Sequence, residues 1–326
     1  MRHGLRAGLR HQGATLNLFS ETDLDDLHLG TLDVLERAGV SVEADEAIDV
    51  FADGGCRVDR ENHIVKIPPE IVAKAISTAP PQFVLAGRDP SNDIVIAQGR
   101  VTVCPFTEGV MVNDVETGEN RESTRQDLVD NLRVADYLPN YDFNTVSVTA
   151  RDLPEQTAEL HHVETALNNT TKAFMVSITS TTMANAAFEI GVVVAGGEDK
   201  LRERPFFTYG YCPVGPMYLT AICSEVTIAC GRLGIPACCI AMDMAGANAP
   251  ISLAGTLIVQ NAELLSCLVL NQLVNPGSAF YYGTSTDSFD MRRGTATVGT
   301  PELALLQAGT AALARYYNIP SWTAGY

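Results

Sequence analysis

The sequence predicts an α/β protein, a TIM (β/α)8 barrel preceded by a small, mainly helical cap. After about residue 100, strand patterns recur at spacings of roughly 30 to 42 residues with a helical pattern in each gap, which implies parallel strands joined by right-handed crossovers. Strands such as "FMVSI" and "ACCIAM" are continuous apolar runs, as expected of parallel strands that are buried on both faces. Repeated units of this kind suit a barrel better than a doubly wound sheet.

The cap is predicted over residues 1–98. "SETDLDDLHLGTLDVLERAG" has a serine that can cap a helix, acidic residues in the first turn and a glycine at the end, which together predict a helix. "EADEAIDVFADGG" and "PPEIVAKAISTAP" predict two more helices. Between them, "CRVDRENHIVKI" predicts a hairpin that turns at Glu61 and Asn62.

The barrel is predicted over residues 99–326. Its strands are expected to begin near Val101, Asp142, Lys172, Phe206, Pro236, Ser278 and Ile319. Its helices are expected near 124–138, 155–169, 181–195, 218–233, 251–274 and 300–317. The seventh strand reaches Tyr326, so we expect this chain to hold seven of the eight strands and to be incomplete at its C-terminus.

Composition argues against several classes of protein. A formal net charge of −17 and a pI near 4.7 disfavour binding to nucleic acid or to an anionic membrane. The apolar run 251–274 contains Asn261, Glu263, Asn271 and Gln272, so we interpret it as a core helix rather than a membrane span. The eight cysteines form no CxxC pair, which predicts buried, reduced thiols and a cytoplasmic location. No glycine-rich nucleotide-binding motif is present.

Asp243 is the first candidate site residue. In barrels the active site lies at the C-terminal ends of the strands, and Asp243 follows the apolar strand "ACCIA". Small residues follow it, as far as Asn248, and they would allow a ligand to approach the backbone closely. The alternative is that Asp243 caps the next helix or bonds loop amides.

Three stretches carry a resemblance to a known family. They are "TLDVLERAGVSVEADEAIDVFADGGCRVDRENHIVKIPPEIV", "MAGANAPISLAGTLIVQNAELLSCLVLNQLVNPG" and "YYGTSTDSFDMRRGTATVGTPELALLQAGTAALARYYNIP". Together they resemble the trimethylamine:corrinoid methyltransferase family, from about residue 15 to the end. The resemblance implies a barrel and methyl transfer from a methylated amine to the cobalt(I) of a corrinoid (cobalamin) on a separate protein, with no tightly bound cofactor in the chain itself.

Founding members of that family carry pyrrolysine, and its proteins continue past the point where this chain stops. This sequence holds only standard residues, so it resembles the pyrrolysine-lacking branch, which is associated with quaternary amines such as glycine betaine. A quaternary amine expels a neutral tertiary amine and needs no general acid. That chemistry agrees with a sequence in which no acid–base dyad is obvious.

Substrate-binding candidates follow from that chemistry. Aromatic rings hold quaternary ammonium groups, and the rings near strand ends are Phe106, Tyr209, Tyr211, Tyr282, Phe289 and Tyr326. Core packing is the alternative for each of them. Arg292 and Arg293 could bind the carboxylate of a betaine as a bidentate fork, with Arg151 as another candidate and ion pairing to Asp290 or Asp152 as the alternative. Asn248 is a further substrate-binding candidate.

The catalytic candidates are Asp243 and Glu108. Glu108, like Asp152, could orient the substrate or contact the corrinoid. Loop solvation or helix capping is the alternative for Glu108. No metal site is expected, because the neighbouring His161 and His162 would point about 100° apart on a helix.

The sequence thus predicts a corrinoid-dependent methyltransferase acting on a quaternary or tertiary methylamine, and association into a homo-oligomer is expected. One alternative is a barrel lyase, although Lys172 opens its strand, at the wrong end of the barrel for a Schiff base. Another is a protein that binds or senses a quaternary amine without turnover.

Overall fold

The structure, a computed structural model, describes residues 9–10 and 17–324. The candidate Tyr326 lies outside these residues. The helices are α1 (Glu21–Asp33), α2 (Asp45–Asp53), α3 (Pro69–Thr78), α4 (Arg125–Tyr137), α5 (Ala158–Asn169), α6 (Thr181–Ala195), α7 (Glu198–Glu203), α8 (Ala221–Leu233), α9 (Leu253–Val274) and α10 (Pro301–Tyr316). The strands are β1 (Leu9–Arg10), β2 (Val40–Val42), β3 (Arg57–Asp59), β4 (Ile64–Lys66), β5 (Gln82–Leu85), β6 (Ile94–Ala97), β7 (Arg100–Val101), β8 (Met111–Asn113), β9 (Asn120–Glu122), β10 (Asn144–Thr145), β11 (Phe174–Ser177), β12 (Phe207–Tyr211), β13 (Tyr218–Leu219), β14 (Ala237–Ala241), β15 (Met244–Ala245), β16 (Phe280–Thr284), β17 (Asp287–Asp290), β18 (Thr295–Ala296) and β19 (Ser321–Thr323).

The chain divides into two compact units. Unit 1 comprises Met1–Gln12 and Phe83–Gly210, and unit 2 comprises Gly13–Gln82 and Tyr211–Tyr326. The predicted boundary after residue 98 does not coincide with this division. The reason is that α1, α2 and α3 of the predicted cap pack against α9, which groups the cap with the C-terminal part of the chain.

Unit 1 contains parallel strands covered by helices. β10, β11 and β12 are parallel neighbours, with Asn144 paired to Phe174 and Phe174 paired to Phe207. α5 connects β10 to β11, and α6 connects β11 to β12. The predicted first barrel strand near Val101 is different, because β7 pairs antiparallel with β1 instead of joining the parallel set.

Unit 2 repeats the same arrangement. β14, β16 and β19 are parallel neighbours, with Ala237 paired to Phe280 and Tyr282 paired to Ser321. α9 connects β14 to β16, and α10 connects β16 to β19. Strand and helix therefore alternate in both units, which confirms the predicted α/β class, whereas closure into an eight-stranded barrel stays a prediction.

α9 is the central helix of unit 2. By length and composition it could cross a membrane, with a mean hydropathy of 1.6, but 72% of its most apolar window is buried inside the protein. It packs against α1, α3, α8 and α10. Its buried Asn261 donates hydrogen bonds to Thr31 and Tyr317, and these bonds satisfy a polar side chain that would otherwise be costly to bury.

The N-terminal part of unit 2 matches its sequence signals. Ser20 caps α1 and forms a capping box with Asp23, and β3 pairs antiparallel with β4 to form the predicted hairpin. β2 lies between β4 and β13, antiparallel to the first and parallel to the second. The segment that follows β12 is thus tied to the N-terminal hairpin through β13.

Candidate functional site

Asp243 lies just beyond the C-terminal end of β14, as predicted, and it is fully buried. Its backbone N–H donates to Thr286 Oγ1 at 3.1 Å, and its carbonyl oxygen accepts from the Asp287 N–H at 2.9 Å. Ser252 caps α9, so Asp243 does not have the capping role that we considered as the alternative. No N–H or hydroxyl group among the described residues donates to its carboxylate oxygens.

Glu263 of α9 faces Asp243. It is also fully buried, and its Oε1 accepts from the Met217 N–H at 2.7 Å. Asp243 and Glu263 lie against the same short loop, at Gly215 and Met217 respectively, and their two carboxyl groups interact. A bond between two carboxyl groups requires that one of them carries a proton. We call Asp243 and Glu263 the acid pair.

Burial makes both carboxyl groups of the acid pair weaker acids than usual. It raises the pKa of Asp243 to about 7, although the hydrogen bond with Glu263 opposes the rise. It raises the pKa of Glu263 to about 9, helped by the charge of Asp243 and opposed by the Met217 N–H. Among the described residues, no cation contributes to either shift. Because the groups titrate together, the proton belongs to the pair, which retains at least one proton at neutral pH.

Two neighbouring loops close over the acid pair. A Cβ atom added to Gly215 would lie 2.5 Å from Asp243 Oδ1 and 2.8 Å from Asn248 Nδ2, so this close approach requires glycine. Asn248 accepts from the Met244 N–H at 2.6 Å through Oδ1 and donates to the Gly215 carbonyl at 3.4 Å through Nδ2. The structure therefore brings together two predicted residues, Asp243 and Asn248.

The predicted tyrosines have packing roles instead. Tyr282 is fully buried and its hydroxyl donates to Asn261 Oδ1 of α9 at 2.5 Å. Tyr209 is also fully buried, and its hydroxyl donates to the Ala184 carbonyl of α6 at 2.8 Å. Tyr211 is buried near the thiols of Cys223 and other cysteines, and burial raises its pKa well above the ordinary value. The hydroxyl groups of Tyr209 and Tyr282 thus bond to the helices of their own units.

The rings of Tyr281 and Trp322 form an aromatic pair on the face of the unit 2 sheet opposite to Tyr282. Successive strand residues point to opposite faces, so Tyr281 points away from the helix that Tyr282 contacts. Its ring meets that of Trp322 edge to face, with 6.3 Å between the centroids. Just beyond β14, Met242 is 46% exposed, whereas the next residue, Asp243, is fully buried. Tyr281 and Trp322 were not among the predicted site residues. The adjacent tyrosines of "FYYGT" were the available signal, because neighbouring strand residues point to opposite faces of the sheet.

The remaining predicted substrate-binding residues lie nearer the surface. Phe106 of unit 1 is 64% exposed, and Phe289 is half-buried in β17, paired with Ala296. Arg292 and Arg293 are exposed. Arg293 Nε lies 3.8 Å from Asp290 Oδ2, which is the ion pairing considered as the alternative.

Arg151 of unit 1 lies near a different acid from Asp152, the ion-pair partner that we considered. Its Nε lies 4.0 Å from Glu122 Oε1. Asp152, the partner that we considered, accepts instead from the Arg125 N–H at 2.7 Å.

Glu108, the second catalytic candidate, lies in unit 1 with a φ of 61°. Its N–H donates to the Val146 carbonyl at 2.9 Å. Part of the residue is exposed, but its carboxyl group is desolvated, which raises its pKa. A hydrogen bond with Ser177 opposes that rise, and the charge of Glu159 adds to it. Glu108 is thus a third carboxyl group with a raised pKa, after Asp243 and Glu263.

Metal binding and cavities were searched for in the rest of the described chain. Within residues 9–10 and 17–324, no group of three or more His, Cys, Asp or Glu residues could hold a metal ion. His162 accepts from the Ala150 N–H at 3.2 Å, and burial lowers its pKa to about 4.

A cavity of about 490 Å³ lies between α1, α9 and α10. Its lining, which includes Leu27, Leu257 and Leu305, contains none of the predicted site residues.

Sequence relatives are methyltransferases. A trimethylamine methyltransferase of Desulfitobacterium hafniense is 42% identical over all of this chain, which spans 66% of that protein's length. One of Methanosarcina thermophila is 39% identical over 96% of this chain and 66% of its own length. A glycine betaine methyltransferase of D. hafniense is 29% identical over 95% of this chain and 64% of its own length.

A solved structure has the same fold. The monomethylamine methyltransferase of Methanosarcina barkeri, which has a TIM-barrel-like fold, superposes with a TM-score of 0.53 at 14% identity, covering 94% of this chain and 68% of that one. The family resemblance seen in the sequence is confirmed as well. Since the match to the trimethylamine methyltransferase (MTTB) family extends over residues 3–326, the chain belongs to that family.

Proposed function

We propose that the protein transfers a methyl group from a methylated amine to a corrinoid that is carried by a separate protein. The single observation that carries this proposal is membership of the trimethylamine methyltransferase family over residues 3–326. The corrinoid would supply the cobalt(I) nucleophile that accepts the methyl group. The amine site is proposed at the strand-end loops of unit 2, with Asp243 and Asn248 among its residues, and Glu108 of unit 1 stays a separate catalytic candidate.

Trimethylamine is the first candidate substrate. Identity is 42% to a trimethylamine methyltransferase but 29% to a glycine betaine methyltransferase. Trimethylammonium, (CH3)3NH+, gives up CH3+ and leaves as neutral (CH3)2NH, provided that the nitrogen keeps its proton. The acid pair is a proton-holding group beside the loops of unit 2. No acid–base dyad was obvious in the sequence, and this favoured a quaternary amine, which needs no general acid. Because the acid pair holds a proton, that argument no longer applies.

Glycine betaine is the second candidate because one relative, identical at 29% of positions, acts on it. In this case Arg292 and Arg293, both exposed in the turn after β17, would bind the carboxylate. The aromatic contact to the ammonium group would come from Tyr281, Trp322 and Phe289 of unit 2 rather than from the tyrosines that face the helices. Each ring would contribute roughly 0.5–2 kcal/mol by cation–π attraction.

The cellular setting belongs to the same proposal. All eight cysteines are free thiols, which supports a reducing, cytoplasmic compartment. The partners would be a small methylated amine and a corrinoid protein, and the chain would associate with copies of itself.

A product assay tests this function. The protein is incubated with cobalt(I) cobalamin and either trimethylamine or glycine betaine, and dimethylamine and dimethylglycine are measured by mass spectrometry. We expect dimethylamine to form at least tenfold faster than dimethylglycine. A binding protein without turnover would instead show a rise in melting temperature that grows with amine concentration, with neither product formed. That outcome would refute the proposal.

A further inference from the structure

The acid pair lies where three loops of unit 2 meet. These are residues 212–217 after β12, residues 242–249 after β14, and residues 285–286 after β16. We infer that Glu263 is a positioning residue which, by sharing a proton with Asp243, holds these three loops together. Its role in methyl transfer rests on the proposed function, whereas the loop contact itself is a property of the folded chain.

Each loop is bonded to the acid pair or to its immediate neighbours. The first loop is held through the Met217 N–H, which donates to Glu263 Oε1 at 2.7 Å, and through the Gly215 carbonyl, which accepts from Asn248 Nδ2 at 3.4 Å. The third loop is held through Thr286 Oγ1, which accepts from the Asp243 N–H at 3.1 Å. The second loop carries Asp243 itself, so the acid pair connects all three.

The contact depends on a proton. Both side chains are fully buried, and two adjacent buried carboxylates without a cation would repel each other strongly. A shared proton removes one charge and supplies the hydrogen atom for the bond between them. The Met217 N–H is the donor that faces the remaining charge. A single charge can therefore be tolerated in this position, and a second cannot.

Other titratable groups near the pair do not replace this proton. Cys267 of α9 and Cys223 of α8 are the nearest thiols that interact with Glu263, and their pKa values are raised well above the ordinary value, so both stay neutral. Asp287 of β17 contacts Asp243 through its backbone N–H. Tyr218 of β13 is hydrogen-bonded to Glu43. None of these groups supplies a positive charge.

Loss of the last shared proton should loosen the loops locally. β13 pairs with β2, which anchors the first loop at its C-terminal end, and β15 pairs with β17, which anchors the other two. Opening should therefore be confined to the segments around Gly215 and Thr286. It would weaken the bond of the Met217 N–H without unfolding the unit.

Amide hydrogen exchange without substrate tests the inference. We expect the protection factor of the Met217 N–H, corrected for intrinsic exchange, to fall about tenfold or more from pH 6 to pH 9 in the unmodified protein. In Glu263→Gln the amide carbonyl can accept from Met217 and the amide NH2 can donate to Asp243, so protection should stay high and lose its pH dependence. In Glu263→Leu it should be low at both pH values.

Glu302→Gln is the matched control, because Glu302 is an exposed acid in the first turn of α10, and it should keep the pH dependence of the unmodified protein. Asp243→Asn provides a second test should Glu263→Gln fail to fold, and it too should abolish the pH dependence. Equal protection at pH 6 and pH 9 in the unmodified protein would overturn the inference. So would loosening that responds to added sodium or ammonium ions instead of pH.

Turnover separates this inference from the proposed function. If both hold, Glu263→Gln loses the pH dependence of the turnover rate, and Glu263→Leu loses turnover. An absence of methyl transfer together with the expected exchange pattern would refute the function alone. Methyl transfer with pH-independent exchange would refute the positioning role alone.

Discussion

Replacing Glu263 by glutamine should change how the stability of the protein depends on pH. Burial in the folded state raises the pKa of both members of the acid pair; the charge of Asp243 adds to the rise at Glu263, whereas the hydrogen bond with Glu263 opposes the rise at Asp243. The folded state therefore holds protons that the unfolded chain has already released. The stability associated with these protons is complete below the unfolded pKa values near 4 and is lost as pH rises towards the folded values of about 7 and about 9.

The size of the effect follows from proton linkage. Each proton that only the folded state retains costs about 1.4 kcal/mol per pH unit. Glu263→Gln removes one titrating group and leaves Asp243 next to a neutral partner. Between pH 5 and pH 7 the variant should therefore gain about 3 kcal/mol of unfolding free energy relative to the unmodified protein.

Urea unfolding at pH 5, 6, 7 and 8 measures this difference directly. Comparison of variant with parent at each pH cancels the contribution of the other carboxyl groups, and Glu302→Gln provides the control for the change from acid to amide. Should the difference between variant and parent stay constant to about 0.5 kcal/mol across this range, the acid pair does not hold a proton in the folded state.

Further substitutions test other parts of the structure. Gly215→Ala would place a Cβ atom 2.5 Å from Asp243 Oδ1, and we expect a loss of about 1–3 kcal/mol of stability in urea unfolding; an unchanged midpoint would contradict this packing. Tyr282→Phe leaves Asn261 Oδ1 without its donor and should lower the free energy of unfolding by about 1–3 kcal/mol. Amine affinity measured by calorimetry should not change, and weaker binding would show that this ring belongs to the substrate site. Arg293→Ala removes a side chain that is 83% exposed and should change stability by less than about 0.5 kcal/mol, and it should weaken glycine betaine binding but not trimethylamine binding.

Local sequence signals predicted the helices well. The helix predicted over 181–195 has those bounds in the structure, because Ser180 caps its start and Gly196, at φ 75°, ends it. Ser20 and its capping box likewise mark the start of α1. These signals act within one or two turns of chain, so the sequence alone contains them.

Features that depend on distant pairing were harder to predict. The pattern near Val101 has the composition of a barrel strand, but its pairing with β1 decides its role. Asp243 was found because it follows an apolar strand, whereas Glu263 was missed because only the packing of α9 on β14 brings it to Asp243. The available signal was that Glu263 is the one acidic residue in the long apolar helix α9. A buried charge needs a partner, so its presence there indicated a neighbouring polar group. Adjacent tyrosines such as Tyr281 and Tyr282 cannot be assigned to a face until a neighbouring helix fixes it.

The division of unit 2 into two separate stretches of sequence has a consequence during synthesis. α1, α2 and α3 leave the ribosome long before α9, against which they pack, and the delay is roughly 10–40 s at ordinary elongation rates. Throughout this interval the faces that pack on α9 are uncovered, while residues 83–210 are already complete and can fold. The nascent chain therefore offers a binding site for chaperones at its N-terminal end, and α9 must displace them for the two halves of unit 2 to join.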